Sequence, residues 1–199
     1  MPSTLIDWTP KRYDRIAKYY DWMARLFPVG KMGHKSVLDG LDEGSLIDVA
    51  CGTGTLLAMA LGNGLRCYRL DISSGMLDQA MSKAPDANLI QASFYDIPYS
   101  EGTFDYVIET NAVSGVEIEV VKVLQEMIRV CKPGGEIRLA DYSKPASPTN
   151  ISRTIERILH LVGDFAYDYV EYFNSLGYDP KVHDLGWGGM YQFIQVFKR

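Results

Sequence analysis

Cysteine is nearly absent from this 199-residue chain: Cys51, Cys67 and Cys131 are the only three, each set in core-like sequence and none at a metal-ligand spacing. That excludes a disulfide framework and a cysteine-built metal site; no metal is expected, and the thiols read as buried and reduced. Histidine is as rare, with His34, His160 and His183 the only imidazoles. Long apolar runs are missing too: nowhere do about 18 apolar residues follow one another. The first residues, MPSTLIDWTPKRYD, lack a basic stretch leading into an apolar core, so a soluble, cytoplasmic protein is the expectation. Positive charge is also short. The net charge of -5 argues against a nucleic-acid partner, because neutralising phosphates takes clustered Lys and Arg. The deficit is uneven: residues 1–35 hold seven Lys/Arg against three Asp, a local +4, and the remainder carries -9. A solvated helix face accounts for that segment, with a weak membrane-surface contact as the alternative.

What the chain does have is 47% hydrophobic residues, enough for a full core in one domain spanning 1–199. Apolar residues recur at helical steps from Lys11 to Phe27, a break follows at Pro28/Gly30, and a shorter helix is expected around Lys35 to Leu41. From there strands alternate with helices. SLIDVA leads to TLLAMAL, RCYRLD to SSGMLDQAMSK, and NLIQAS to a loop with Pro98. TFDYVIET is followed by EIEVVKVLQEMIRVC, and PGG predicts a tight turn into EIRLAD. Beyond Lys144 the pattern predicts a helix from Asn150 to Leu161, an aromatic helix from Ala166 to Leu176 and a closing strand MYQFIQVF. Alternating strands and helices, several strands apolar throughout, mean an α/β fold: a doubly wound, mostly parallel sheet covered on both faces.

In such a sheet ligands sit beyond the carboxyl ends of the strands, over the first glycine loop. That loop is Cys51-Gly52-Thr53-Gly54, within LIDVACGTG. Glycine admits a ligand close to the main chain, and the next helix presents free N–H groups. A dinucleotide fingerprint would need a third glycine, but the chain reads A-C-G-T-G-T from Ala50. A nicotinamide-dependent oxidoreductase on this fold is therefore the weaker alternative. Asp71 closes the second strand, where a carboxylate can accept both ribose hydroxyls of a nucleoside cofactor; capping the helix at Ser73 is its structural alternative.

LIDVACGTG, LDISSGML, the Asp105-containing FDYVI, and RVCKPGGEIRLADYSKP in this order resemble the successive motifs of class I S-adenosylmethionine-dependent methyltransferases. The closest similarity is to the ubiquinone/menaquinone biosynthesis methyltransferase family, over roughly Tyr13 to Pro145. The resemblance implies a Rossmann-like, seven-stranded sheet whose last strand, MYQFIQVF, inserts antiparallel. It divides the domain into N-terminal lid helices (1–43), a cofactor-binding core (44–144), and acceptor-side helices with the final strands (145–199). It implies S-adenosyl-L-methionine as cofactor. Asp48, Ala50, Cys51, Gly52, Thr53 and Gly54 would surround its methionine moiety, and Asp71 would hold the ribose. Ile72 and Met76 would flank the adenine, with Ser93 and Phe94 nearby. Tyr20 would close over the cofactor, and Glu109 would border it.

The same resemblance places a small-molecule acceptor, quinone-like or lipid-like, above strands four and five, near Glu109, Thr110, Asn111 and Val113 and near Asp141, Tyr142 and Ser143. Methyl transfer needs alignment first and a base only when the acceptor must shed a proton. The candidates for that work are His34, Glu109 and Asn111. Two departures stand out: quinone-modifying members carry Gly-x-Arg-Asn after the fourth strand, where this chain reads ETNAVSGVE, and Ala24 replaces an Asn. Tyr167, Tyr169, Tyr172 and Tyr178 either line the acceptor pocket or pack. A catalytically silent, cofactor-binding regulatory module is the remaining alternative, and nothing in the pattern specifies an oligomeric state.

Overall fold

The computed structural model describes residues 10–24, 29–60, 64–114, 118–162 and 165–199. Two helices lead, α1 (Pro10–Ala24) and α2 (Val29–Leu38), followed by β1 (Gly44–Val49), α3 (Thr55–Ala60), β2 (Leu65–Asp71), α4 (Ser74–Lys83) and β3 (Asn88–Gln91). Then come β4 (Phe104–Thr110), α5 (Val120–Val130), β5 (Cys131–Tyr142), α6 (Asn150–Val162), α7 (Tyr169–Ser175), β6 (Lys181–Gly186) and β7 (Tyr191–Phe197). The strands form one sheet in the order β3-β2-β1-β4-β5-β7-β6. Pairings are parallel from β3 to β5, and β7 runs antiparallel between β5 and β6. This is the expected doubly wound α/β sheet with an inserted antiparallel strand.

The two-residue period of the strands sorts side chains onto two faces. Leu46, Cys67, Ile108, Ala140 and Phe193 join one cluster with residues of α2, α3 and α4. Their neighbours Ile47, Leu70, Val107, Leu139 and Ile194 join the other with α5 and α7. Helix α5 shows why a helix fits there: Val120, Val123, Leu124, Met127 and Val130 fall at three- and four-residue steps and are all buried.

Two expectations are corrected, and one strand is additional. The second helix starts at Val29 and ends at Leu38, so Gly30 does not break it; Gly33 lets it lie directly against Tyr191 and Ala140, where any side chain would collide. The PGG turn is the bulged start of β5, whose register against β4 shifts between Phe104 and Tyr106. Strand β6 does not stand out in the hydrophobic pattern because it is an edge strand, with Lys181 to Asp184 exposed. The ends of the first and third predicted helices (25–27 and 61), and 115–117 after the fourth strand, lie outside the described residues. Among the described residues no helix is long and apolar enough to cross a membrane.

Candidate active site

Strand β1 ends in a chain reversal that ordinary residues resist. Ala50 sits at φ 61°, Gly52 at 51° and Gly54 at 74°. The left-handed region costs a residue with a Cβ about 1–3 kcal/mol, so Ala50 marks stored strain. The two glycines have different reasons to be there. A Cβ on Gly54 would strike Ala80 of α4, at 2.8 Å, whereas one on Gly52 would project into open space above the loop. Room over Gly52 is what a ligand lying on the main chain requires. The other non-glycine residues with positive φ, Asn111 (57°) after β4 and Trp187 (58°) before β7, lie at the same edge of the sheet. Strain gathers where the strands' carboxyl ends meet.

Asp71 ties the loop to the next helix. Its Oδ2 accepts the Gly52 N–H at 2.8 Å and its Oδ1 accepts the Ser73 N–H at 2.9 Å. It does not cap α4, because Ser73 does so with its own hydroxyl, accepting from Met76 N at 3.1 Å. Burial raises the Asp71 pKa, and its three backbone hydrogen bonds pull the other way.

Helix α1 is fastened over this loop at two points. Asp14 accepts from the Ser73 hydroxyl at 2.6 Å and from Gly75 N at 3.0 Å. One helical face further on, Asp21 accepts from the Thr53 hydroxyl at 2.5 Å and pairs with Lys83, whose ammonium also reaches Thr53 (2.8 Å) and Thr55 (3.0 Å). Tyr20, next to that latch, packs against Tyr13 with ring centroids 6.4 Å apart. Asp14, Asp21 and Lys83 were not singled out from sequence. Lys83 is 62 positions from Asp21, and nothing in the pattern relates them.

Three carboxylates are buried at the carboxyl ends of the central strands. Asp48, 1% exposed, has no hydrogen-bond partner on either oxygen among the described residues. Arg69 stands opposite it in register but sends its guanidinium to the carbonyls of Ala84 and Ala87. Glu109, fully buried, accepts from Ala112 N at 2.6 Å through Oε1 and leaves Oε2 without a partner. Asp141 is satisfied, accepting from Tyr142 N at 2.7 Å, Val113 N at 3.3 Å and the Tyr169 hydroxyl at 3.0 Å. Burial pushes Asp48 and Glu109 well above the carboxylate range, with Asp71 adding to the first and Asp141 to the second. Asn111 donates its backbone N–H to Ala140 at 3.1 Å, and its side chain bonds the buried Tyr191 hydroxyl.

The remaining candidates fall less centrally. Burial, with the Lys83 charge adding, lowers His34 to about 4, which keeps it neutral but makes it a weak base. Cys51 is buried with its thiol pKa raised, first by burial. Ile72 is 46% exposed and Met76 is buried in α4. Ser93 accepts from Tyr95 N at 3.2 Å, and Phe94 stacks edge-on against Tyr95. Tyr169 is buried, so it packs and fixes Asp141; Tyr142 and Trp187, half-buried with centroids 5.8 Å apart, form the aromatic shelf beside β5. His183 of β6 stacks on Phe193 of β7, away from the glycine loop.

A doubly wound sheet with a strained glycine loop, a strand-end acid and a helix fastened beside them matches a known class. Residues 47–139 match the profile of the methyltransferase domain family. A demethylmenaquinone methyltransferase of Beutenbergia cavernae is 27% identical over 213 residues, covering 96% of this chain and 88% of the relative. One of Shouchella clausii is 34% identical over 177 residues, covering 80% and 75%. The fold is shared with geranyl diphosphate C-methyltransferase from Streptomyces coelicolor A3(2), solved with Mg2+, geranyl diphosphate and S-adenosyl-L-homocysteine. That structure is 15% identical, with a TM-score of 0.66 over 85% of this chain and 77% of that one. The chain is a methyltransferase with the class I fold. Within that class it belongs to the menaquinone-biosynthesis methyltransferase family. This sets aside an oxidoreductase on the same fold.

Proposed function

We propose that this enzyme methylates a small, quinone-like acceptor held above the carboxyl ends of β4 and β5. The observation that carries the cofactor half is the pair of buried carboxylates, Asp48 with neither oxygen satisfied and Glu109 with Oε2 unsatisfied among the described residues. Unpaired buried charge is expensive, so such a site suits a ligand that brings positive charge of its own. S-adenosylmethionine, when bound, supplies an ammonium tail and an activated methyl group on a sulfonium centre. The loop from Ala50 to Gly54 takes the methionine end, with Asp48 beneath it. Asp71 turns its free lone pairs to the ribose. Ile72, Met76, Ser93 and Phe94 border the base, and the lid helix with Tyr20 closes the site against water.

The acceptor reading rests on the relatives' activity and on the Tyr142–Trp187 shelf, an apolar surface suited to a flat ring. An activated ring carbon must lose a proton as the new carbon–carbon bond forms. Glu109, whose burial raises its basicity, is the group proposed to receive it, and Asn111 orients the acceptor. The single sheet supports reading the chain as one domain, and three free, buried thiols suit a place in the reducing cytoplasm.

The test offers the protein labelled S-adenosylmethionine with a reduced naphthoquinone lacking the ring methyl, a catechol and an alkyl thiol. A one-methyl mass gain on the ring carbon of the first is expected. Methylation of the catechol or thiol alone would overturn the quinone-like acceptor and leave the cofactor assignment intact. Tight donor binding with no methylated product in a cell extract would point to the silent module.

A further inference from the structure

We propose that the solvent faces of α1 and α6 form a docking surface for an anionic lipid bilayer. On α1, Tyr19 (67% exposed), Trp22 (65%) and Met23 (40%) make one contiguous apolar group at i, i+3 and i+4. Single exposed apolar residues need no explanation, but a cluster of large ones does. Lys11, Arg15 and Lys18 are exposed on the same helical face and make no ion pair among the described residues. Trp and Tyr set among Lys and Arg is the composition that settles at the headgroup level, rings at the acyl boundary and cations on the phosphates.

Helix α6 repeats the arrangement. Its buried side, Ser152 and Leu159, faces the core, while Ile151, Ile158 and Leu161 are all more than half exposed. Arg153 and Arg157 flank that exposed stripe, and the exposed Lys144 precedes the helix. Both helices stand over the same end of the molecule. Asp14 and Asp21 fasten α1 to the loops after β2 and β1, and α6 packs through Leu159 beside Tyr142 and Met190, at the end of β5 and the start of β7. That end is where the acceptor is proposed to enter, so a lipophilic acceptor would pass from the bilayer to the site without crossing water. The occupant is argued from charge: Lys11, Arg15, Lys18, Lys144, Arg153 and Arg157 are exposed on or beside these two helices in a chain of net -5, which favours an anionic surface against this face. The docking surface stands on these exposed residues and does not depend on which acceptor is methylated.

The experiment is co-sedimentation of the full chain with vesicles of phosphatidylcholine alone or with added phosphatidylglycerol, at low and high salt. Binding to the anionic vesicles only, weakened by salt, is expected. Lys11→Glu/Arg15→Glu/Lys18→Glu should weaken it about a hundredfold, at roughly fivefold per lost cation before counting repulsion. Tyr19→Ser/Trp22→Ser and Ile158→Ser/Leu161→Ser should each weaken it without changing S-adenosylhomocysteine affinity by calorimetry. Three results would overturn the surface: no anionic-vesicle binding, equal binding by the charge-reversed chain, or a dimer in light scattering that Ile158→Ser/Leu161→Ser dissolves. Tighter binding of the same face to single-stranded RNA would overturn it as well. Vesicle binding with no affinity for S-adenosylhomocysteine would instead count against the cofactor assignment alone.

Discussion

Single side chains decide what this site can bind, and two of them act on stability and on ligand binding with opposite signs of pH dependence. Asp48 and Glu109 have pKa values raised above those of an unfolded chain. Their contribution to stability is therefore fullest below the ordinary carboxylate range, about 4, and is lost as pH rises through the raised values. A cationic ligand needs the ionised form, so binding releases protons. S-adenosylmethionine affinity should fall as pH drops below those values, and calorimetry in two buffers of different ionisation enthalpy should show net proton release. S-adenosylhomocysteine, which lacks the sulfonium charge, should show a weaker dependence; identical profiles would remove these acids from the site. Asp71→Ala should abolish measurable S-adenosylhomocysteine heat, because the same carboxylate shapes the Gly52 turn. His34→Gln should leave the pH–rate profile unmoved, since an imidazole lowered to about 4 is a poor base near neutrality.

At the scale of elements, the contacts between segments carry the predictions. Gly54→Ala meets both a left-handed φ and the α3–α4 contact at Ala80, and should cost about 1–3 kcal/mol in urea unfolding. Asp105 joins β4 to β1 through Ser45 (2.7 Å) and to β5 through Lys132 (2.7 Å). Desolvation opposes its ionisation, yet those partners hold it down to about 2. Its stabilisation is complete above about 4 and fades as pH falls toward the folded value, so Asp105→Asn should flatten the acid limb of the wild-type unfolding profile. The α1 latch predicts a kinetic effect. Asp21→Asn, which loses the ion pair with Lys83 but not the fold, should speed S-adenosylhomocysteine release in stopped flow. Elements whose hydrophobic faces are buried were legible in the sequence, among them β1, α5 and β7. Strand β6 was not, because an exposed edge strand has no buried face to write a period, and the first turns of α2 were not, because Gly33 serves close packing against Tyr191.

For the whole molecule, saturating S-adenosylhomocysteine at a hundredfold excess over its dissociation constant should stabilise the fold by about 2.7 kcal/mol, and NADH by nothing. A thermal scan with each ligand checks both halves of that statement. The sequence by itself determined the layered α/β architecture, the glycine loop and the strand-end acid at Asp71, because each follows from residue types at short spacing; the class of cofactor came from the resemblance of four ordered motifs to a known family. Only the tertiary structure decided that Asp48 and Glu109 lie buried with unsatisfied oxygens, that Asp141 is held by Tyr169, and that Asp21 and Lys83 pair across α1 and α4. The reason is physical: burial and pairing arise between segments tens of residues apart, and no local pattern records which of them the folded chain brings together.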